Sequence, residues 1–269
     1  MNFENKTFVV TGGGGGLGRE LVLNLLSKGS TVIALDRNAA GLEETKKCAG
    51  QLSKFLFIHQ VDITDREAVI SLIHQVIAGH ERIDGLFNNA GIIQPFIPLK
   101  DLDEGIIEKI FNVNFFGTLN LTKVLLPHLL TRPEAVIVNI ASMGGFLPVP
   151  GQSIYCASKA AVKLMTEGLQ AELKKSTVQA SVVFPGAMKT DIMTNSGLAT
   201  GKGEEKAKQA GKILSPKDAA AQILNGVAAG KPRIFIGTDS KLMDFLYRLS
   251  PALATNMLYK KLQSKLPQN

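Results

Sequence analysis

The sequence is poor in the residues that cross-link a chain or hold a metal ion. Its 269 residues include only two cysteines, Cys48 and Cys156, and four histidines. Two distant thiols are too few for a disulfide framework or a zinc site of four ligands, and no two histidines have the spacing of metal ligands. We therefore predict no metal centre, and the low cysteine content indicates a reducing, cytoplasmic location.

Tryptophan and long apolar runs are absent, and the positive charge is unevenly placed. No window of about 18 uncharged apolar residues could span a bilayer, and the first residues lack the apolar stretch of a secretory signal. The net charge is +7, yet residues 1–200 hold 18 Lys and Arg against 18 Asp and Glu, whereas residues 201–269 hold 12 against 5. Because no basic stripe is interleaved with aromatic residues, the composition argues against a nucleic-acid partner.

Short apolar runs alternate with amphipathic segments along most of the chain. This order predicts an α/β fold, a single-domain doubly wound (Rossmann) sheet of seven parallel strands with helices on both faces. Thr64 followed by Glu67 has the form of a capping box and predicts the start of the third helix. The predicted strands cover residues 7–11, 31–36, 55–60, 83–88, 135–141, 179–184 and 233–237. The predicted helices cover residues 17–27, 43–49, 65–80, 101–130, 153–175 and 216–229.

A glycine-rich turn joins the first predicted strand to the first predicted helix. Glycine lets the backbone approach a pyrophosphate closely, and the phosphates then lie at the positive end of the helix that begins near Gly16. Two registers of the dinucleotide-binding pattern fit, Gly13-x-Gly15-x-x-Gly18 and Gly12-x-x-x-Gly16-x-Gly18, and spacing alone does not choose between them. The residues expected around the pyrophosphate are Gly12, Gly14, Gly15, Gly16 and Leu17.

Two acidic residues follow the next two strands, where the adenosine of a dinucleotide would lie. Asp36 ends the second strand, 20 residues after Gly16, and its carboxylate favours a ribose diol over a 2′-phosphate. We therefore predict NAD as the cofactor, although the adjacent Arg37 would suit the phosphate of NADP. Asp62 and Ile63 are candidates for the adenine edge, and a helix-capping role for Asp62 is an equally good interpretation.

One tyrosine is followed four residues later by a lysine. Tyr155 and Lys159 share a face of the helix predicted from residue 153. An ammonium group beside a phenol favours the phenolate, so the pattern predicts a tyrosine of lowered pKa that serves as an acid and base. Ser142 follows the buried fifth strand, at the edge of the sheet where open α/β folds bind ligands, and its hydroxyl would hold a substrate oxygen.

Together these motifs resemble the short-chain dehydrogenase/reductase family over about residues 5–237. The resemblance includes the glycine turn, the Asn88-Asn-Ala-Gly91 motif, the Pro185-Gly186 motif and the tyrosine-lysine pair. It implies a nicotinamide cofactor and assemblies that are often tetramers. It also implies that Asn114 holds, from a distorted helix, a water linked to Lys159. The implied catalytic residues are Asn114, Ser142, Tyr155 and Lys159. The implied contacts with the cofactor ribose and carboxamide are Asn89, Ala90, Gly91, Tyr155, Lys159, Pro185, Gly186, Met188 and Thr190.

The resemblance implies an oxidoreductase that transfers a hydride between the nicotinamide cofactor and a secondary alcohol or ketone. Two segments are expected to close the substrate pocket, residues 144–153 and a lid over residues 186–215. Their apolar composition favours a lipophilic substrate such as a steroid, retinoid, fatty acyl or aromatic compound. The alternative is a non-catalytic dinucleotide-binding sensor or scaffold of the same fold. The residues expected to line the pocket are Phe146, Leu147, Pro148, Val149, Met188, Ile192, Met193 and Leu198.

The C-terminal residues continue beyond the segment that carries the resemblance. We expect residues 1–240 to form the dinucleotide-binding catalytic domain and residues 241–269 an amphipathic helical extension, broken at Pro251. Apolar residues there alternate with Lys and Arg. Three interpretations remain open: packing over the chain's own pocket, contact within a homodimer or homotetramer, and peripheral docking of residues 241–266 on an anionic membrane.

Overall fold

The computed structural model describes residues 1–80, 82–188, 192, 196, 198 and 214–262. Seven parallel strands form one sheet in the order β3-β2-β1-β4-β5-β6-β7. This confirms the predicted doubly wound sheet, and the predicted strand bounds are correct to within about two residues. The strands are β1 (Thr7–Thr11), β2 (Thr31–Asp36), β3 (Leu56–Gln60), β4 (Gly85–Asn88), β5 (Ala135–Ile140), β6 (Val178–Pro185) and β7 (Arg233–Ile236).

Helices cover both faces of the sheet. Within β1, Phe8 and Val10 point to one apolar layer and Val9 to the other, as expected from the alternation of side chains along a strand. The first layer is built with α1 and α7, and the second with α3, α5 and α6. The helices are α1 (Gly16–Ser27), α2 (Ala39–Cys48), α3 (Arg66–Gly79), α4 (Glu104–Phe111), α5 (Thr118–Leu129), α6 (Ser153–Glu172), α7 (Pro216–Ala228), α8 (Thr238–Leu249) and α9 (Pro251–Leu262).

Three helix predictions are wrong in detail. The helix predicted over residues 43–49 begins four residues earlier, at Ala39, because the Asn38 side chain caps α2 by accepting from the Gly41 backbone N–H. Asp65, and not Thr64, caps α3, because the Asp65 carboxylate accepts from the Ala68 backbone N–H while the Thr64 hydroxyl donates to Asp62. The single helix predicted over residues 101–130 is divided into α4, a π-helical turn at Asn112–Gly117 and α5. Such π turns are often found at functional sites, and this one carries Asn114.

The sheet order places a crevice between β1 and β4. The chain moves outward from β1 to β2 and β3 and then returns to β4 on the other side of β1. At such a switch point the loops after neighbouring strands turn in opposite directions, which leaves a crevice at the carboxyl ends of the strands. The glycine turn follows β1, and the segment of Asn89 follows β4, so both reach this crevice.

The C-terminal extension forms the two predicted helices. Pro251 begins α9, directly after α8 ends at Leu249. The boundary expected at residue 240 lies inside α8, whose first turn packs on β6 through a hydrogen bond from the Ser240 hydroxyl to the Phe184 carbonyl. Of the helices described here, none is long and apolar enough to cross a membrane.

Candidate active site

A cleft of about 550 Å³ opens at the carboxyl ends of the strands, at the switch point. The glycine turn lies at one end, and Ser142 and Tyr155 lie at the other. Most residues predicted to contact a dinucleotide are brought together on its walls. The predicted residues that line the cleft are Gly12, Gly14, Gly15, Gly16, Leu17, Asp36, Arg37, Asp62, Ile63, Asn89, Ala90, Gly91, Ser142, Tyr155, Lys159, Pro185, Gly186, Met188 and Ile192.

The backbone of the glycine turn settles the register that spacing left open. Gly12 and Gly16 have φ values of +69° and +50°, a region that favours glycine. A Cβ on Gly18 would lie 1.9 Å from the Gly12 carbonyl oxygen, so only glycine fits there. These are the three glycines of the pattern Gly12-x-x-x-Gly16-x-Gly18, which is therefore the correct register.

The glycine turn leaves room for a pyrophosphate. A Cβ added to Gly15 or Gly16 would meet no atom within 4 Å, and both residues line the cleft. Gly15 precedes the first turn of α1, and no described side chain caps that end of the helix. The positive end of the helix therefore faces open space, which is the arrangement that binds phosphate groups.

The acidic residues at the adenosine end are held by backbone groups. The Asp36 carboxylate accepts hydrogen bonds from the backbone N–H of Gly14 and of Asn38, each 2.9 Å long. It is thus a negative charge fixed beside the glycine turn. Asp62 accepts from the backbone N–H and the hydroxyl of Thr64, at 2.9 and 2.8 Å, and does not cap α3. Both carboxylates border the cleft, as predicted for the adenosine end.

Ser142 and Tyr155 face each other at the opposite end. The Ser142 oxygen accepts from the Gly144 backbone N–H at 3.0 Å, and its hydroxyl hydrogen bonds to the Tyr155 phenol. The tyrosine lines the cleft and is partly buried. Burial raises the pKa of Tyr155 to about 12, the hydroxyl of Ser142 opposes this change and Cys156 adds to it. The prediction that the pKa of Tyr155 is lowered is therefore wrong for the protein without cofactor or substrate, because the effect of desolvation is larger than that of the neighbouring lysine.

Lys159 lies one turn further along α6 and is buried. Its Nζ donates a 2.9 Å hydrogen bond to the Ile140 carbonyl oxygen, at the end of β5. Burial lowers the pKa of this lysine to about 8, since an ammonium group loses hydration inside the protein. A Cβ on Gly91 would lie 3.1 Å from the same Nζ, so the glycine leaves the lysine open toward the cleft.

Asn114 joins three parts of the site from the π-helical turn. Its Oδ1 accepts from the Ile92 backbone N–H at 2.8 Å, and its Nδ2 donates to the Ile92 carbonyl and to the Ser158 hydroxyl, both at 3.0 Å. It is fully buried. Oδ1 also lies 3.2 Å from the position of a Cβ on Gly91. Asn114 and Lys159 therefore both approach Gly91.

Part of the predicted substrate pocket is built differently. Phe146 packs in an aromatic cluster with Phe184, Phe235 and Tyr247, and Leu147 is fully buried, so neither lines the cleft. Phe184 is fully buried and the other three rings pack around it, partly buried, because contact between rings removes their apolar area from water. Pro148, Val149 and Leu198 also lie outside the cleft lining. Thr190, Met193 and most of the lid predicted over residues 186–215 lie outside the described residues.

Sequence reasoning missed Gln94, which is fully buried beside the start of α6. Its Oε1 accepts from the backbone N–H groups of Ile154 and Tyr155, at 3.0 and 2.9 Å. Its Nε2 donates to the Gly151 carbonyl at 3.1 Å. Gln94 thus fixes the first turn of the helix that carries the tyrosine. The partners are about 60 residues apart in sequence, so local patterns give no signal for them.

Asp239 is a second residue that sequence reasoning missed. The backbone N–H of Ala187 donates to its carboxylate at 2.9 Å, and a Cβ on Gly186 would lie 2.2 Å from the same side chain. Asp239 stands in the first turn of α8, after Gly237, whose φ is +86°. The carboxylate therefore fixes the loop after β6, which forms one wall of the cleft.

The remaining thiols and imidazoles have structural environments. Cys156 is buried, and burial raises the pKa of its thiol, which disfavours the reactive thiolate. The His128 ring accepts from the Ile83 backbone N–H at 3.2 Å. No group of three or more potential metal ligands occurs within the part of the chain that is described.

Comparison with known proteins gives the family. The model of the short chain dehydrogenase family matches residues 6–200. The chain belongs to the short-chain dehydrogenase/reductase family. This confirms the resemblance carried by the motifs, and with it a nicotinamide dinucleotide as the cofactor class. Membership also places the chain among oxidoreductases.

Individual relatives and solved structures cover most of the chain. SadH of Mycobacterium tuberculosis is 35% identical over 255 residues, 92% of each chain. The 3-ketodihydrosphingosine reductase of Dictyostelium discoideum is 31% identical over 94% of this chain and 80% of its own. A Burkholderia phymatum family member in complex with NAD is 25% identical over 87% of this chain and 90% of its own, with a TM-score of 0.80. A Burkholderia cenocepacia dehydrogenase in complex with NADP is 26% identical over 96% of this chain and 99% of its own, with a TM-score of 0.79.

Proposed function

We propose that the protein interconverts a secondary alcohol and the corresponding ketone with a nicotinamide dinucleotide. The observation that carries this proposal is that Ser142, Tyr155 and Lys159 line one end of a cleft whose other end is a glycine turn fit for a pyrophosphate, while the buried Asn114 approaches the same Gly91 as Lys159. When bound, the nicotinamide ring donates or accepts the hydride. The protein supplies orientation and a path for the proton.

Tyr155 is the proposed acid and base. In reduction its hydroxyl gives a proton to the ketone oxygen, and in oxidation the phenolate removes the proton of the alcohol. The Ser142 oxygen is held by the Gly144 N–H, and its hydroxyl would hold the reacting oxygen beside the Tyr155 phenol. Without cofactor or substrate, the pKa of the Tyr155 phenol is raised to about 12. The phenol is therefore protonated near neutral pH and can donate its proton.

Lys159 is the proposed contact with the nicotinamide ribose. Together with a water held by Asn114, it is also the proposed proton relay. The buried amine, with a pKa lowered to about 8, can take up or release a proton near neutral pH. The Lys159 amine and the Asn114 amide oxygen both lie close to Gly91, at 3.1 and 3.2 Å from the position of a Cβ there, and the linking water would bridge these two groups. Asn89, Ala90 and Gly91 would border the ribose, and Pro185, Gly186, Met188 and Thr190 the carboxamide.

We propose NAD as the preferred cofactor. The Asp36 carboxylate is fixed at the adenosine end by two backbone N–H groups, and Gly12–Gly16 carries no cation to hold a 2′-phosphate. The neighbouring Arg37 lines the same cleft, which makes the measurement necessary. We expect kcat/KM to be higher with NADH than with NADPH. A value about tenfold higher with NADPH, about 1.4 kcal/mol in the opposite direction, would reverse this assignment.

The proposed substrate is a lipophilic alcohol or ketone. Near the tyrosine the cleft is lined by Ile92, Ile93, Met188 and Ile192, which offer apolar surface around a few polar groups. A relative over most of the chain is a reductase of a sphingosine derivative, a lipid. A panel of ketones that runs from polyols to long-chain compounds tests this class, and a clear preference for polyols would contradict it.

We also propose the setting in which the enzyme works. Residues 1–240 would form the catalytic domain and 241–269 its extension, in a cytoplasmic homodimer or homotetramer. Leu164 on α6 and Phe116 in the π turn are exposed large apolar side chains that fit a contact between copies. Light scattering of the purified chain measures the assembly, and a monomer at all concentrations would contradict it.

The decisive experiment on the reaction is Tyr155→Phe. Loss of the hydroxyl should lower kcat by about 10²–10⁴-fold, the usual contribution of a general acid or base. Cofactor binding, followed by the fluorescence of the reduced nicotinamide, should persist because the ring remains. A variant that keeps more than about a tenth of the wild-type kcat would remove Tyr155 from this role. A wild-type chain that binds cofactor but is inactive over a broad ketone panel would favour the sensor or scaffold alternative.

A further inference from the structure

The C-terminal helices α8 and α9 carry an exposed apolar face. Leu242, Phe245 and Leu249 are spaced so that they share one side of α8, and Leu253 and Met257 are one turn apart on α9. Each is a large apolar side chain that is about half or more exposed. Six large apolar side chains are exposed on the part of these two helices that the structure describes, and the five named above, without Tyr259, are what we call the C-terminal apolar face. Patches of this kind mark sites of interaction.

Positive charge accompanies the C-terminal apolar face. Lys241 and Arg248 lie beside it on α8, and Lys260 shares one side of α9 with Leu253 and Met257. All three cations are exposed. The two acids of these helices, Asp239 and Asp244, are partly buried and bonded to the Ala187 backbone and to arginines. Because Asp244 balances Arg248, the exposed positive charge that no acid offsets among the described residues of these helices is that of Lys241 and Lys260.

The opposite side of α8 is already engaged. The fully buried Ser240 bonds the Phe184 carbonyl at 2.8 Å, Asp244 pairs with Arg233 at 3.0 Å, and the Tyr247 ring packs against Phe146. This leaves the apolar face turned away from the body of the protein. None of the described residues of α8 or α9 lines the cleft, so packing over the chain's own pocket is the interpretation that the structure disfavours.

We propose that the C-terminal apolar face docks on the surface of an anionic lipid bilayer. Amphipathic helices with apolar side chains on one face and lysine or arginine beside it bind such surfaces by burying the apolar face at the headgroup boundary. The charge beside the C-terminal apolar face favours an anionic bilayer over a second copy of the chain as its partner. In a symmetric pair the two faces would bring Lys241 and Lys260 of both copies together, with no exposed acid of α8 or α9 to balance them, whereas anionic headgroups balance both.

Docking would place the active site next to a source of lipophilic substrate. Through Ser240 and Asp239, the first turn of α8 holds the end of β6 and the loop that forms one wall of the cleft. Only the width of one helix, about 10 Å, therefore separates the docked face from the residues it supports. This purpose rests on the proposed function, whereas the docking itself does not.

Vesicle flotation of the full-length protein tests the docking. We expect the chain to float with vesicles of phosphatidylcholine and phosphatidylserine, and to be released at high salt or from pure phosphatidylcholine. Leu253→Ser should weaken the association about tenfold by removing a buried apolar side chain. Lys241→Gln with Lys260→Gln should weaken it about fivefold for each lysine, and only on anionic vesicles.

A matched control and a parallel assay make the outcomes separable. Leu99 is 54% exposed, close to the 52% of Leu253, and lies in another segment, so Leu99→Ser should float like the wild type. All variants should keep their activity on a water-soluble ketone, which reports on the proposed function independently. Absence of flotation, or flotation unchanged by Leu253→Ser, would overturn the proposal. Conversion of a dimer to a monomer by Leu253→Ser, seen by light scattering without any vesicle binding, would assign the face to a second copy instead.

Discussion

The two ends of the cleft are built by contacts of different range. At the adenosine end, the Asp62 side chain bonds a residue two positions away, and Asp36 bonds Gly14 across 22 positions, between neighbouring strands. At the nicotinamide end, Gln94 bonds Tyr155 across 61 positions, and Ala187 bonds Asp239 across 52. The adenosine end thus rests mainly on contacts within β1, β2 and the turns that follow them, with a distant support from Asn89, whose Nδ2 donates to the Thr11 carbonyl. The chemistry at the second end depends on segments that meet only in the folded chain.

This difference indicates where a substitution acts. A substitution in the glycine turn changes the backbone conformation of that turn. It should therefore weaken cofactor binding and lower the free energy of unfolding together. A change at the nicotinamide end alters one of several supports for the loop after β6 or for α6, so its effect should be smaller and confined to the site. Substitutions at each end, ranked by expected effect, test the comparison.

The largest effect is expected from Gly18→Ala at the adenosine end. Its Cβ would lie 1.9 Å from the Gly12 carbonyl oxygen, so the turn or α1 must move. We expect a loss of about 3 kcal/mol in the free energy of unfolding, typical of severe overpacking, and loss of cofactor binding. Chemical denaturation and fluorescence titration with NADH measure the two effects.

Gly15→Ala separates the two consequences. Gly15 has an extended backbone with φ of −170°, and a Cβ there meets no atom within 4 Å. The free energy of unfolding should therefore stay near the wild-type value while cofactor binding weakens, because the methyl group would occupy the space of the pyrophosphate. Equal destabilisation by the two alanines would show that the glycine turn serves folding alone.

The range of contacts also explains how much the sequence reveals. Strand bounds, the glycine turn, Asp36 and the tyrosine-lysine pair follow from local periodicity and spacing, and the structure places them as predicted. The register of the glycines does not, because it depends on a contact between Gly18 and the Gly12 carbonyl that five consecutive glycines conceal.

The nicotinamide end shows what sequence patterns leave out. Phe146 belongs to an apolar segment that was predicted to line the pocket, yet it packs against aromatic rings of β6, β7 and α8. Gln94 and Asp239 carry no motif, since their partners are backbone groups of distant segments. The pKa of Tyr155 was predicted from its neighbour Lys159, whereas burial, a property of the fold, raises it.

A smaller effect on the free energy of unfolding is expected from the buried amine of Lys159. The pKa of Lys159 is about 8 in the folded chain and near 10.5 when exposed, so between these values the unfolded chain binds more protons. The free energy of unfolding should therefore rise with pH across this window, by about 2 kcal/mol between pH 7 and 10 from this group alone. Lys159→Met should lack that rise.

Denaturation of both proteins at a series of pH values measures the difference. Other titrating groups are common to the two chains, so the difference between the curves isolates the lysine. Parallel curves would mean that the amine keeps its ordinary pKa. In that case Lys159 would not be the group that exchanges protons near neutral pH, and the proposed relay would be lost.

The smallest effect, and the sharpest test of the comparison, is expected from Asp239→Ala at the nicotinamide end. The Ala187 N–H would lose its charged acceptor, and the loop after β6 would be held only by its remaining contacts. Because a hydrogen bond to a charged group contributes about 1.5–3 kcal/mol, we expect about a tenfold higher dissociation constant for NADH. Asp239→Asn retains an acceptor and should recover most of this loss.

Asp244→Asn, on the same helix, breaks pairs with Arg233 and Arg248 and touches nothing in that loop, so it should lower the melting temperature without changing NADH binding. If Asp239→Ala and Asp244→Asn lower stability alike and leave the dissociation constant unchanged, then α8 supports the fold and not the cleft, and the long-range contacts of this end have no part in binding the cofactor.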